Sequence, residues 1–103
     1  GMKKILLCCS AGMSTSMLVQ KMVQSAKTRG IDCQIEAQSV SSFDKAIQEF
    51  DVCLLGPQVR FQLEDLRKIA SQYGKKIDAI SPMAYGMMKG DEVLDQALSL
   101  MAK

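Results

Sequence analysis

The chain has 103 residues, of which 48% are hydrophobic and 23% charged, enough for one domain with an ordinary core. Lys plus Arg total 13 against 11 Asp plus Glu, a net charge of +2. That excess is too small and scattered for a nucleic-acid footprint. The longest apolar stretch is a few residues, so neither a membrane span nor a signal-peptide core is expected. Gly1 before Met2 reads as an expression remnant, and residues 1–103 as a single domain in the cytoplasm. There Cys8, Cys9, Cys33 and Cys53 stay reduced. With no histidine and no C-x-x-C pair, no metal site and no cofactor is expected.

In chain order, residues 4–8 are a continuous apolar strand. Residues 14 to about 29 read as a helix, with Leu18, Met22 and Ala26 at four-residue spacing and Gly30 as its stop. Residues 31–37 alternate, with Ile31, Cys33, Ile35 and Ala37 on one face. Ser42 is placed to cap a short helix carrying Phe43, Ala46, Ile47 and Phe50. Residues 51–55 form a second continuous apolar strand. After the Gly56-Pro57 break comes a helix carrying Phe61, Leu66, Ile69 and Ala70, ending near Gly74. Residues 77–80 are a short strand interrupted by Asp78, and Asp91 is placed to cap a last helix.

Alternating β and α segments with short loops imply a parallel sheet covered by helices on both faces. The two continuous apolar strands belong at the centre and the other two at the edges. Right-handed crossovers then give the order 2-1-3-4, a small doubly wound sheet of the flavodoxin-like kind. Such sheets bind ligands at the carboxyl ends of their strands. Residues 9–14, 56–58 and 81–86 all fall on that rim.

The segment after the first strand, "CCSAGMSTS" at 8–16, carries the chemistry. A loop running from a strand into a helix presents successive N–H groups, and phosphate binds well at such a place. The amides from Ala11 through Gly12, Met13 and Ser14 to Thr15 are candidates, with the hydroxyls of Ser10, Ser14, Thr15 and Ser16. The same field stabilises a thiolate, which is nucleophilic without an adjacent base. Adjacent strand residues face opposite ways. Cys8 therefore reads as a core residue and Cys9, at the strand-to-loop junction, as the nucleophile; Cys33 and Cys53 read as core residues. Met13, Met17, Met83, Met87 and Met88 fall in or beside the rim loops, where methionines can form an adaptable contact face.

The loop resembles the C-x-x-x-x-x-R phosphate loop of low-molecular-weight phosphatases and arsenate reductases. The arginine position, however, is Thr15 counted from Cys9 and Ser14 counted from Cys8. Without a guanidinium to clamp transition-state oxygens, the site suits a phosphoryl relay better than a hydrolase. A phosphatase-like or thiol-redox protein using Cys9 is the alternative.

"CSAGMSTS" at 9–16, "LLGPQV" at 54–59 and "AYG" at 84–86 closely resemble the enzyme IIB component of the bacterial sugar phosphotransferase system, lactose/cellobiose (N,N′-diacetylchitobiose) family. The resemblance implies a four-stranded parallel fold and a phosphotransferase activity. It implies that Cys9 accepts phosphate from a phosphohistidine on enzyme IIA. Cys9 then passes it to a sugar, a disaccharide such as cellobiose, chitobiose or lactose, carried by the membrane enzyme IIC. By the same resemblance Ser10, Ala11, Gly12, Met13, Ser14, Thr15 and Ser16 form the phosphate cradle. Gly56, Pro57, Gln58 and Tyr85 lie around it, on loops that meet the partners. In that family an apolar residue tends to stand where this chain has Cys8, which leaves the acceptor role with Cys9.

Overall fold

The computed structural model describes residues 2–10 and 13–103, with Met13 and Ser14 described as backbone alone. Four parallel strands form one sheet in the order β2-β1-β3-β4, the order expected. The strands are β1 (Lys3–Cys9), β2 (Cys33–Ser39), β3 (Val52–Leu55) and β4 (Lys76–Ala79). β1 is buried from Ile5 onward and β3 throughout, because both lie inside the sheet with a helical layer on each face. At the edge, β4 tolerates Asp78 because its carboxylate accepts from the Ala79 N–H at 2.8 Å and from Gln96 Nε2 at 3.4 Å.

The helices are α1 (Met13–Thr28), α2 (Phe43–Ala46), α3 (Leu63–Gln72), α4 (Pro82–Gly86) and α5 (Gly90–Met101). The alternation of β1 divides its side chains between two cores. Ile5 and Leu7 pack with Leu54, Leu18, Met22 and Leu94 on the α1/α5 side. Leu6 and Cys8 pack with Cys53, Leu55, Phe43 and Leu66 on the α2/α3 side.

Several boundaries differ from the sequence reading, each for a local reason. The second strand begins at Cys33 rather than 31. Gly30 is left-handed, with φ +68°, and the Ile31 N–H returns to the Ala26 carbonyl at 2.9 Å, so Ile31 closes the helix before it. Ser42 makes no side-chain cap. Ser39 caps instead, its Oγ accepting the Ser41 N–H at 3.2 Å ahead of a 3₁₀ turn. The segment after Gly56 is 3₁₀ through Gln62 before α3 begins, and Phe61 is 83% exposed rather than buried with Leu66 and Ala70. Asp91 does not cap α5, which begins at Gly90 after Lys89. The Asp91 carboxylate instead takes the Ser25 hydroxyl of α1. Residues 82–86 are not a loop but α4: Ser81 Oγ accepts the Ala84 N–H at 3.1 Å, and Pro82 opens the turn.

Candidate functional site

Cys9 is the last residue of β1. Its position in the alternation, two beyond Leu7, directs its side chain to the α1/α5 layer, and Cys8 to the opposite core. Both are buried, Cys9 being 2% exposed, so exposure does not distinguish them; their surroundings do. Cys8 lies among apolar side chains and Cys53. Thr15 Oγ1 donates to Cys9 Sγ at 2.7 Å. Tyr85 Oη in turn lies 3.2 Å from Thr15 Oγ1. Thr15 is wholly buried and Tyr85 is 6% exposed.

Gly56 joins from the next strand. Its N–H donates to the Cys8 carbonyl at 2.8 Å, extending the β1–β3 ladder by one residue. A Cβ at Gly56 would fall 2.9 Å from Gln58 Oε1 and 3.3 Å from Cys9 Cβ. Glycine therefore lets the end of β3 run against Cys9 with the Gln58 amide folded back over it. Pro57 follows at the first position of the 3₁₀ turn, where its missing N–H costs nothing.

The structure thus gathers Cys9, Thr15, Gly56, Gln58 and Tyr85. Ser10 and Ser16 are exposed, and Ser16 falls in the first turn of α1. Ala11 and Gly12 lie outside the described residues, as do the side chains of Met13 and Ser14. The backbone of α1 opens at Met13, so the positive end of its dipole lies beside the end of β1.

The other thiols are poorer candidates. Burial pushes the Cys53 thiol well above the ordinary range, and its hydrogen bond with Cys8 adds to this. Burial also raises the Cys33 thiol, with Asp32 adding to the rise and Lys3 opposing it. The candidate site lies on the sheet rim rather than in a large cavity. A hollow of about 810 Å³ between α1 and the start of α5 is lined by Lys21, Ser25, Met88 and Asp91 among others, but by none of the site residues.

Fold and site together define a small doubly wound domain whose first strand ends in a thiol held at the start of the next helix. The family model described as "PTS system, Lactose/Cellobiose specific IIB subunit" matches residues 4–96, and the chain belongs to that family. It is 45% identical over 100 residues to the PTS system oligo-beta-mannoside-specific EIIB component of Bacillus subtilis (strain 168), covering 97% of each chain. It is 44% identical over 104 residues to the cellobiose-specific EIIB component of Lactococcus lactis subsp. lactis (strain IL1403), covering 96% of each. A solution structure of a cellobiose-specific phosphotransferase IIB component from Borrelia burgdorferi superposes with a TM-score of 0.83 at 41% identity, over 99% of this chain and 94% of that one. The lactose-specific IIB domain from Streptococcus pneumoniae shares the fold, with a TM-score of 0.88 at 19% identity over 97% of this chain and 98% of that one. The chain is therefore a sugar-specific IIB component, a part of the phosphotransferase machinery. No helix among the described residues is long and apolar enough to cross a membrane.

Proposed function

We propose that Cys9 is the phosphoryl carrier, taking phosphate from a phosphohistidine of enzyme IIA and giving it to a sugar held by the membrane enzyme IIC. The observation that carries this reading is the Thr15 hydroxyl on Cys9 Sγ at 2.7 Å, at the N-terminus of α1. Cys9 is the thiol that both a hydroxyl donor and a helix dipole address. In the first transfer a Sγ lone pair forms the S–P bond while the P–N bond breaks. The electron pair of the P–N bond goes to the donor imidazole, which takes up the proton that the thiol gives up. In the second the acceptor hydroxyl oxygen forms a new O–P bond while the S–P bond breaks, the pair of the broken bond returns to Sγ, and the hydroxyl loses its proton to a base of the sugar-bearing component. Positioning and electrostatic stabilisation carry most of such a transfer. The cradle is the segment from Ser10 to Ser16, the amides at the start of α1 facing the equatorial oxygens. The sugar is a disaccharide of the cellobiose, chitobiose or lactose kind, and the domain works in the cytoplasm.

Two features support a relay over a hydrolase or a redox protein. Thr15, at the position of the phosphatase arginine, points its hydroxyl at the sulfur. Cys8 and Cys9 face opposite layers, so the vicinal pair is not arranged as a dithiol. Four exposed apolar side chains are consistent with a contact face. Met17, Phe61, Met83 and Met87 are 58%, 83%, 68% and 64% exposed, and the segments bearing them leave the sheet edge where β1, β3 and β4 end.

The test is incubation with a phosphohistidine form of IIA, followed by mass spectrometry under conditions that preserve thiophosphate. One phosphate on Cys9 is expected, discharged by IIC and sugar, with Cys9→Ser folding normally but inactive. Phosphate on Ser10, Ser14 or Thr15 with Cys9 free would overturn the assignment.

A further inference from the structure

We infer that Thr15 acts as a catalytic hydrogen-bond donor to the Cys9 sulfur and that Tyr85 is the residue that positions it, the pair stabilising charge on the sulfur in a chain without histidine. This rests on the reading of Cys9 as the phosphoryl carrier and adds to it how the sulfur is managed.

The direction of the chain of bonds follows from proton counting. Each hydroxyl has one proton to give. Thr15 gives its own to Sγ at 2.7 Å. The 3.2 Å contact with Tyr85 Oη is then a bond that Tyr85 donates and Thr15 accepts. Both groups are buried, so the bonds are little exchanged with water, and a hydrogen bond to an ionised group is stronger there than a neutral one. Polarisation along the chain strengthens the terminal donation to sulfur. The elements hold the pair in place. Thr15 lies in the first turn of α1, and Tyr85 in α4, whose start is capped by Ser81 and whose end is followed by Met88 at φ +53°.

The consequences differ between the two transfers. A hydrogen bond donated to an ionised sulfur favours that form but makes it slightly less nucleophilic, so the two effects oppose each other when Cys9 receives phosphate. Once the S–P bond exists, sulfur is neutral and a poor acceptor, and the Thr15 hydroxyl is released toward a phosphoryl oxygen. When phosphate leaves, charge returns to Sγ in the transition state, and the donation stabilises the leaving thiolate directly. Thr15 therefore matters more for discharge than for loading.

The experiment uses the whole chain and three variants: Thr15→Val, which keeps the shape without the hydroxyl, Thr15→Ser, which restores it, and Tyr85→Phe. The first readout is the pH profile of Cys9 alkylation by iodoacetamide, resolved by peptide. Thr15→Val is expected to move its midpoint upward and slow reaction at neutral pH about tenfold, the size of one charge-assisted hydrogen bond. Tyr85→Phe should shift it less, and Thr15→Ser should return it near the parent. The second is back-transfer from loaded Cys9 to unphosphorylated IIA, which Thr15→Val should slow more than it slows loading. An unmoved midpoint in folded Thr15→Val, or a shift that Thr15→Ser does not reverse, overturns the inference while leaving the carrier reading intact. A shifted midpoint in a chain that takes no phosphate from IIA overturns the carrier reading instead. Should Thr15→Val fail to fold, Tyr85→Phe decides: a midpoint equal to the parent's overturns the relay.

Discussion

Gly90 approaches Lys21 so closely that a Cβ added at its position would lie 2.6 Å from the Lys21 carbonyl carbon and 2.8 Å from its oxygen. Here the first turn of α5 meets the backbone of α1, and backbone cannot swing aside as a side-chain end can. Next to it the Asp91 carboxylate takes the Ser25 hydroxyl, fixing the same crossing. Gly90→Ala should therefore push two helices of one core layer apart and destabilise the fold by about 1–3 kcal/mol, the usual cost of overpacking. Chemical denaturation of the variant against the parent measures this. A change within about 0.5 kcal/mol, as at an ordinary surface site, would show that the crossing is not tight.

The cysteines outside the site predict an alkaline weakness. The Cys53 thiol is raised well above its ordinary range, first by burial and then by its bond with Cys8; Cys33 is raised too. A group with a raised folded value contributes its full stability below the unfolded value and loses it as pH climbs toward the folded one. Above about 8.5 the unfolded chain gives up thiol protons that the folded chain keeps, so stability falls with rising pH. One such thiol costs about 1.4 kcal/mol one pH unit above its unfolded value. Thermal midpoints from neutral pH upward should fall, and Cys53→Val should flatten part of the decline. An identical decline in Cys53→Val would place the sensitivity elsewhere.

Much of the fold was legible because burial is written into the strands. The unbroken apolar runs at 5–9 and 52–55 required cover on both faces and so placed β1 and β3 in the middle. The same alternation separated Cys8 from Cys9. Less legible were features set by local hydrogen bonds. Ser42, Ser39, Asp91 and Ser25 are all competent caps or partners in composition, and only the backbone path decides which oxygen meets which N–H. The site shows this most clearly. Thr15 read as one hydroxyl of a cradle and Tyr85 as a rim residue. In the structure both are buried, and they meet although 70 residues apart. A signal existed in the pattern: Thr15 lies three residues before Leu18 and seven before Met22, on the helix stripe that faces the core. Phe61 failed for the opposite reason. Its apolarity suggested the core, but the 3₁₀ geometry after Pro57 turns it outward.

That outward Phe61, with Met17, Met83 and Met87, supports the last prediction. Single exposed apolar residues are ordinary, but these four come from segments that follow three neighbouring strand ends. On the proposed reading of Cys9, a carrier docks two different proteins over one atom. Thioether side chains suit that task because they are flexible and polarisable, and Met is enriched in interfaces. Introducing a charge at such a face costs desolvation on docking without touching the folded core. Met17→Glu and Met83→Glu should therefore each lower kcat/KM for phosphate transfer from IIA by roughly tenfold, the scale of a contact that matters in an interface. Both should leave stability within about 0.5 kcal/mol and the pH profile of Cys9 alkylation unchanged. The pairing of readouts separates docking from chemistry, since a disturbed thiol would alter alkylation as well as transfer. Ser71→Glu, at an exposed position near the far end of α3, serves as the control and should change neither. Full transfer activity in both methionine variants would show that the partners do not dock across this face.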